Sequence, residues 1–156
     1  MNEITYREAT SKDVKELSNL WKKLSLVHET MDEYWVMQKG ASNIWQNNLQ
    51  KEIHSKGTSL IMANNGEKVI AFIRASIRED AVIFKRKICK ISELFVENEY
   101  RNLGVAGQLL ARVEEFAKKN KAKYLVEQNG LANDPARWFY KHAGLKAISE
   151  MRVKKL

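Results

Sequence analysis

Residues 91–119, ISELFVENEYRNLGVAGQLLARVEEFAKK, decide the fold. An apolar strand ends at Val96, a polar link follows, and RNLGVAG opens a helix. Val105, Leu109, Leu110, Val113, Phe116 and Ala117 fall on one face of that helix at 3.6-residue spacing. A helix N-terminus presents free backbone N–H groups and the positive end of the dipole, which suits a phosphate. Gly104, Ala106 and Gly107 carry minimal side chains, so an anion can approach the main chain there. A P-loop would need Gly-Lys-Ser/Thr after four spacers, and a dinucleotide fingerprint would need G-x-G-x-x-G with an acid about 20 residues on. Neither is present. Taken alone, the turn serves equally well as a tight strand-to-helix connection built of small residues.

Working outward, residues 3–8 alternate as a short strand, and Thr10 with Asp13 marks a helix start. Val14, Leu17, Leu20, Trp21, Leu24 and Val27 recur at helical spacing, predicting a helix over residues 11–28. Residues 29–41 read as irregular and 42–56 as a weaker helix. The stretches 58–64 and 68–78 flank NNGE, a turn signature, and form a hairpin. Residues 85–96 are a third long strand, 104–120 the amphipathic helix, and YLVEQ (124–128) a buried strand. A short helix over 134–143 has Pro135 in its first turn and Gly144 past its end. Leu145 to Val153 is expected to close the sheet as one or two strands. The order β-α-α-β-β-β-α-β-α-β describes an α/β sandwich with an antiparallel N-terminal half and one parallel crossover.

The 156 residues are read as a single domain, 1–156, with 44% hydrophobic and 29% charged residues. No apolar run is long enough to span a membrane, and the N-terminus lacks the features of a secretory signal. A lone Cys89 and three scattered histidines offer neither a disulfide framework nor a metal-ligand cluster, so no metal is expected. A reducing cytoplasm fits. The net charge of +8 suggests an anionic partner. Lys and Arg are spread along the whole chain, so a generally basic surface outranks nucleic-acid binding.

Two motifs then coincide. Arg101-Asn-Leu-Gly104-Val-Ala106 resembles the R/Q-x-x-G-x-G/A signature of the GNAT acetyltransferases, in the required place after a strand. Downstream, Asn133-Asp-Pro-Ala136-Arg-Trp-Phe139-Tyr140-Lys-His-Ala-Gly144-Leu resembles that family's N-x-x-A-x-x-F-Y-x-x-x-G-F segment, with Leu145 in place of an aromatic. The resemblance implies a mixed, mostly antiparallel sheet flanked by helices, whose central strands splay to form an acetyl-CoA cleft. It implies an acetyl-CoA-dependent N-acetyltransferase. Backbone N–H groups of Arg101, Asn102, Leu103, Gly104, Val105, Ala106 and Gly107 would cradle the pyrophosphate, with the Arg101 side chain bracing the loop. Main-chain groups of Phe95 and Val96 would pair with the pantetheine arm, and a strand N–H would polarise the thioester carbonyl.

Within that frame Tyr140 is the expected proton donor to the departing thiolate, and Glu93 the general base for the amine. The rival readings are a core aromatic beside Phe139 for Tyr140, and a carboxylate that merely pairs with a lysine for Glu93. Asn133 would bond the pantetheine arm, cap the 134–143 helix, or do both. Cys89, with no nearby histidine in sequence, is rejected as a nucleophile in favour of direct attack in a ternary complex. Acceptor choice is expected in residues 28–57, where Glu29, Asp32, Glu33, Tyr34 and Trp35 suit either a cationic amine or a solvated helix end. A small-molecule amine and a peptide or protein amine stay open, as does a homodimer. The alternative class is a non-catalytic acyl-CoA sensor, or a basic nucleic-acid binder, on the same fold.

Overall fold

The structure, a computed structural model, describes residues 3–80 and 86–155. Among the described residues five strands lie in the order β1-β2-β3-β4-β5, with β1 Ile4–Glu8, β2 Thr58–Asn65, β3 Lys68–Asp80, β4 Arg86–Val96 and β5 Tyr124–Val126. The first three pairings are antiparallel and β4–β5 is parallel. The helices are α1 (Val14–Glu29), α2 (Ala41–Glu52), α3 (Val105–Lys119) and α4 (Asp134–His142). A parallel pair needs a long crossover, and α3 supplies it.

The start of α1 is fixed locally. The Thr10 backbone N–H and hydroxyl both donate to Asp13 Oδ2, at 2.7 and 2.9 Å. Arg7 holds both oxygens of the same carboxylate at 2.8 and 2.7 Å. The β2–β3 hairpin turns at Gly66, whose φ of +61° is the left-handed value that glycine adopts without a Cβ penalty.

Each sheet face has its own core. On one, Leu17, Leu20, Trp45 and Leu49 of α1 and α2 pack on Met62, Phe72 and Phe95. On the other, Val105, Leu109 and Val113 of α3, with Tyr140 of α4, pack on Ile73, Cys89, Ile91 and Val96. Along β4 the odd-numbered residues change faces: Cys89 and Ile91 belong to the α3 side, Phe95 to the α1–α2 side. The cause is a bulge. Ala75 pairs with Ile91 and Arg74 with Glu93, leaving Ser92 extra. One inserted residue reverses a period-2 alternation and bends its strand.

Three expectations about extent are revised. YLVEQ is paired only as far as Val126, because β4 and β5 part there. The second helix stops at Glu52 rather than 56. Residues 143–155 contain no strand, so the closing strand expected over 145–153 does not form. A strand needs a neighbour to take its N–H and C=O groups, and the three-residue β5 offers a very short edge. The tail's apolar side chains stay outside, with Ile148 85% exposed. Lys85, the first residue of the third expected strand, lies outside the described residues.

Candidate active site

The β4–β5 ladder has only three pairs, Ile88↔Tyr124, Cys89↔Leu125 and Lys90↔Val126. Beyond Lys90, β4 runs on to Val96 with β3 on one side and no strand on the other among the described residues. The two strands therefore open a V whose walls are the end of β4 and the chain following β5. Phe95 and Val96 stand on the β4 wall; Glu97 N–H donates to Ile70 C=O at 2.9 Å, so by antiparallel alternation the main-chain groups of Val96 face the gap and those of Phe95 face β3.

At the open end of the V the chain turns into α3. Gly104 is the N-cap, with φ +79°, and Asn102 also has positive φ, +61°. The first intrahelical bond runs from Gln108 N–H to Gly104 C=O at 3.1 Å, so the preceding amides have no acceptor inside the helix. A Cβ built on Gly104 or Gly107 meets nothing within 4 Å, so the surface beside them is open. Asn102 and Leu103 are exposed, whereas Val105 is buried and anchors the helix. Arg101 turns inward: its Nε donates to Val96 C=O at 3.0 Å, and its guanidinium sits 5.9 Å from the Phe95 ring centre. Its side chain braces the loop against the end of β4.

Tyr140 lies on the α3 side of the sheet, 7% exposed, edge-on to Phe139 at 5.1 Å. Its hydroxyl has no hydrogen-bond partner among the described residues. It is also not one of their sealed-off unsatisfied atoms, which are Asn64 Oδ1 and Ser76 Oγ. The hydroxyl therefore reaches accessible space. Burial, with a smaller push from the negative charge of Glu127, drives the phenol pKa well above its ordinary value. Tyr140 is thus a neutral hydroxyl at any working pH.

Asn133 caps α4, its Oδ1 accepting from Ala136 N–H at 3.2 Å, while its Nδ2 has no bond among the described residues. The capping reading is seen, and a donor is left over. Glu93 lies beyond the bulge and turns toward α2. Arg74 grips its carboxylate from Nε at 2.5 Å and Nη2 at 2.8 Å, and Trp45 Nε1 donates at 3.2 Å. The rival reading, a carboxylate paired with a base on the helix side, is the arrangement present, with arginine in place of lysine. Cys89 is fully buried and its thiol is pushed up to about 11 by desolvation, so it is a poor nucleophile.

Glu127, not singled out in the sequence, directly follows the last β5 residue. It is half-buried, and Asn129 Nδ2 bonds both its oxygens at 2.8 and 3.0 Å. The loop after it touches the segment expected to choose the acceptor, where Met31 Sδ stands 3.3 Å from a Cβ built on Gly130. In that segment, Glu29 accepts from Met37 N–H and Asp32 from Tyr34 N–H, both at 2.8 Å, and Glu33 pairs with Lys155 at 3.0 Å. Two of the three acids thus hold the local backbone.

The sequence model of the acetyltransferase (GNAT) family matches residues 17–145, and the chain belongs to that family. An uncharacterised N-acetyltransferase of Methanocaldococcus jannaschii is 25% identical over 142 residues, covering 91% of this chain and 60% of its own length. This chain thus spans about three fifths of that curated relative. Among solved structures, a mutant Bacillus halodurans protein superposes with a TM-score of 0.87 at 18% identity, over 97% of this chain and 99% of the other. A predicted acetyltransferase from Clostridium acetobutylicum, solved with acetyl-CoA, gives 0.80 at 17% identity, over 98% and 96%. These two likenesses establish the fold. Among the described residues there is no cluster able to hold a metal ion, and no helix is long and apolar enough to cross a membrane.

Proposed function

We propose that this chain transfers an acetyl group from acetyl-CoA to a primary amine by direct attack in a ternary complex. The observation that carries the reading is the V opened where β5 leaves β4, with the Gly104 turn at its wide end. The fit to the co-substrate is favourable. Free amides precede Gln108, open space lies beside Gly104, and an unpaired β4 edge can take a pantetheine arm as an added strand.

In this account the amides of residues 102–107 hold the pyrophosphate, because the Arg101 N–H, expected among them, already donates to Asn98 C=O at 3.2 Å, and the Arg101 side chain keeps their loop against Val96. Val96 contributes its main-chain N–H to the pantetheine arm, whereas Phe95, expected to share in this, has its main-chain groups turned to β3, and Asn133 contributes its spare Nδ2. A β4 N–H near the bulge polarises the thioester carbonyl. Tyr140 presents its neutral hydroxyl to the sulfur. The raised pKa disfavours a free tyrosinate, so the hydroxyl stabilises the developing thiolate as a hydrogen-bond donor as the sulfur gains its proton. Glu93, tied to Arg74 and Trp45, fixes the bulged part of β4 and so acts by position. Burial of Cys89 supports direct attack over an acetyl-enzyme.

The test is two-substrate kinetics on an amine accepted from a panel of small amines and peptides. Intersecting initial-velocity lines are expected. Parallel lines would indicate an acyl-enzyme and remove the ternary complex, while binding without turnover on any amine would favour an acyl-CoA sensor.

A further inference from the structure

We propose that Glu127 is the general base that takes a proton from the acceptor amine, an inference that rests on the acetyl-transfer reading above. Its place comes from topology. Val126 is the last β5 residue paired with β4, so Glu127 is the first residue on the far wall of the V, at the point where the gap opens. The chain that follows comes close to Met31, whose Sδ stands 3.3 Å from a Cβ built on Gly130, in the segment read above as choosing the acceptor.

Its surroundings suit the work. Among the described residues Glu127 has no ion pair, and its carboxylate is hydrogen-bonded only by the neutral amide of Asn129. Burial raises its pKa above the ordinary carboxylate value, which strengthens it as a base. The titratable group that faces it is Tyr140 of α4, whose phenol feels its charge. Base and hydroxyl are thus near enough for the charge of one to act on the other. Glu93 is placed quite differently, its two oxygens taken by Arg74 on the α2 side.

The step balances. Glu127 removes one proton from the ammonium group, and the freed nitrogen pair forms the C–N bond to the thioester carbon. The C–S bond breaks with its electron pair on sulfur. The nitrogen's second proton passes to that sulfur through the Tyr140 hydroxyl, and Glu127 returns its own proton to water. The products are the amide and free CoA.

Glu127→Gln tests this, because it keeps a hydrogen-bonding group for Asn129 and removes the charge. On an amine that the unmodified protein acetylates, kcat at neutral pH should fall about 10²-fold, within the range of such groups. Rising pH should restore it as the amine loses its own proton, and acetyl-CoA affinity by calorimetry should stay within about twofold. A rate and pH profile equal to the parent's would overturn the assignment. If the parent acetylates no amine, the functional reading itself fails and the base falls with it.

Discussion

The Tyr140 ring is buried, but its hydroxyl reaches accessible space and makes no hydrogen bond among the described residues. For that reason Tyr140→Phe is expected to leave stability nearly unchanged, since no hydrogen bond within the described residues is lost. Single-turnover acetyl transfer should drop about 10²-fold, the low end for acid–base groups, with acetyl-CoA affinity unaltered. That split between rate and binding marks a transition-state interaction. Glu93→Gln should behave differently. It leaves the Arg74 guanidinium, 15% exposed, without its bidentate partner, a loss of about 2–3 kcal/mol visible in chemical denaturation. Turnover should fall without the high-pH rescue expected of a base. The motif residues of this site were legible in the sequence, because Arg101, Gly104, Asn133 and Tyr140 stand at fixed spacings. The partnership of Glu93 with Arg74 was not, because it depends on a cross-strand register shifted by the bulge at Ser92. Glu127 was hidden for a related reason, since its meaning comes from where a ladder stops.

At the scale of elements, the turn into α3 carries the strongest expectation. Gly104 adopts φ +79°, so Gly104→Val places a branched side chain in the left-handed region, at about 1–2 kcal/mol of strain. The added bulk also enters the open space beside the free amides, and acetyl-CoA affinity should fall at least about tenfold, or 1.4 kcal/mol. Calorimetry at a temperature where the variant is folded separates the two effects, and unchanged affinity would remove the phosphate-cradle assignment. The amphipathic periods of α1 and α3 and the Asn-Gly hairpin announced themselves locally. The bulge in β4 did not, since ISELFV reads equally well as an unbroken strand. Nor did the end of β5, because nothing in YLVEQ marks Val126 as the last residue paired with β4. The strand expected near the C-terminus failed on the same ground: composition permits a strand, but only a neighbouring edge completes one.

For the molecule as a whole, the two cores and the partly buried residues packed on them lie within residues 4–145. Deleting residues from Ala147 onward should therefore change unfolding free energy by no more than about 0.5 kcal/mol, as read from urea denaturation. A larger loss would mean that the tail packs where the structure leaves it exposed. The net charge of +8 should draw the polyanionic CoA moiety from solution. Its affinity should weaken as salt rises from low to physiological strength, and acetyl-CoA should raise Tm as any ligand selective for the native state does. The central claim is transfer, and it is tested most directly by counting products. With acetyl-CoA and an amine panel, the account predicts free CoA thiol and acetylated amine appearing in one-to-one ratio, and only when both substrates are present. Tight acetyl-CoA binding with no acetylated product from any amine, or thiol release at the same rate without amine, would contradict it.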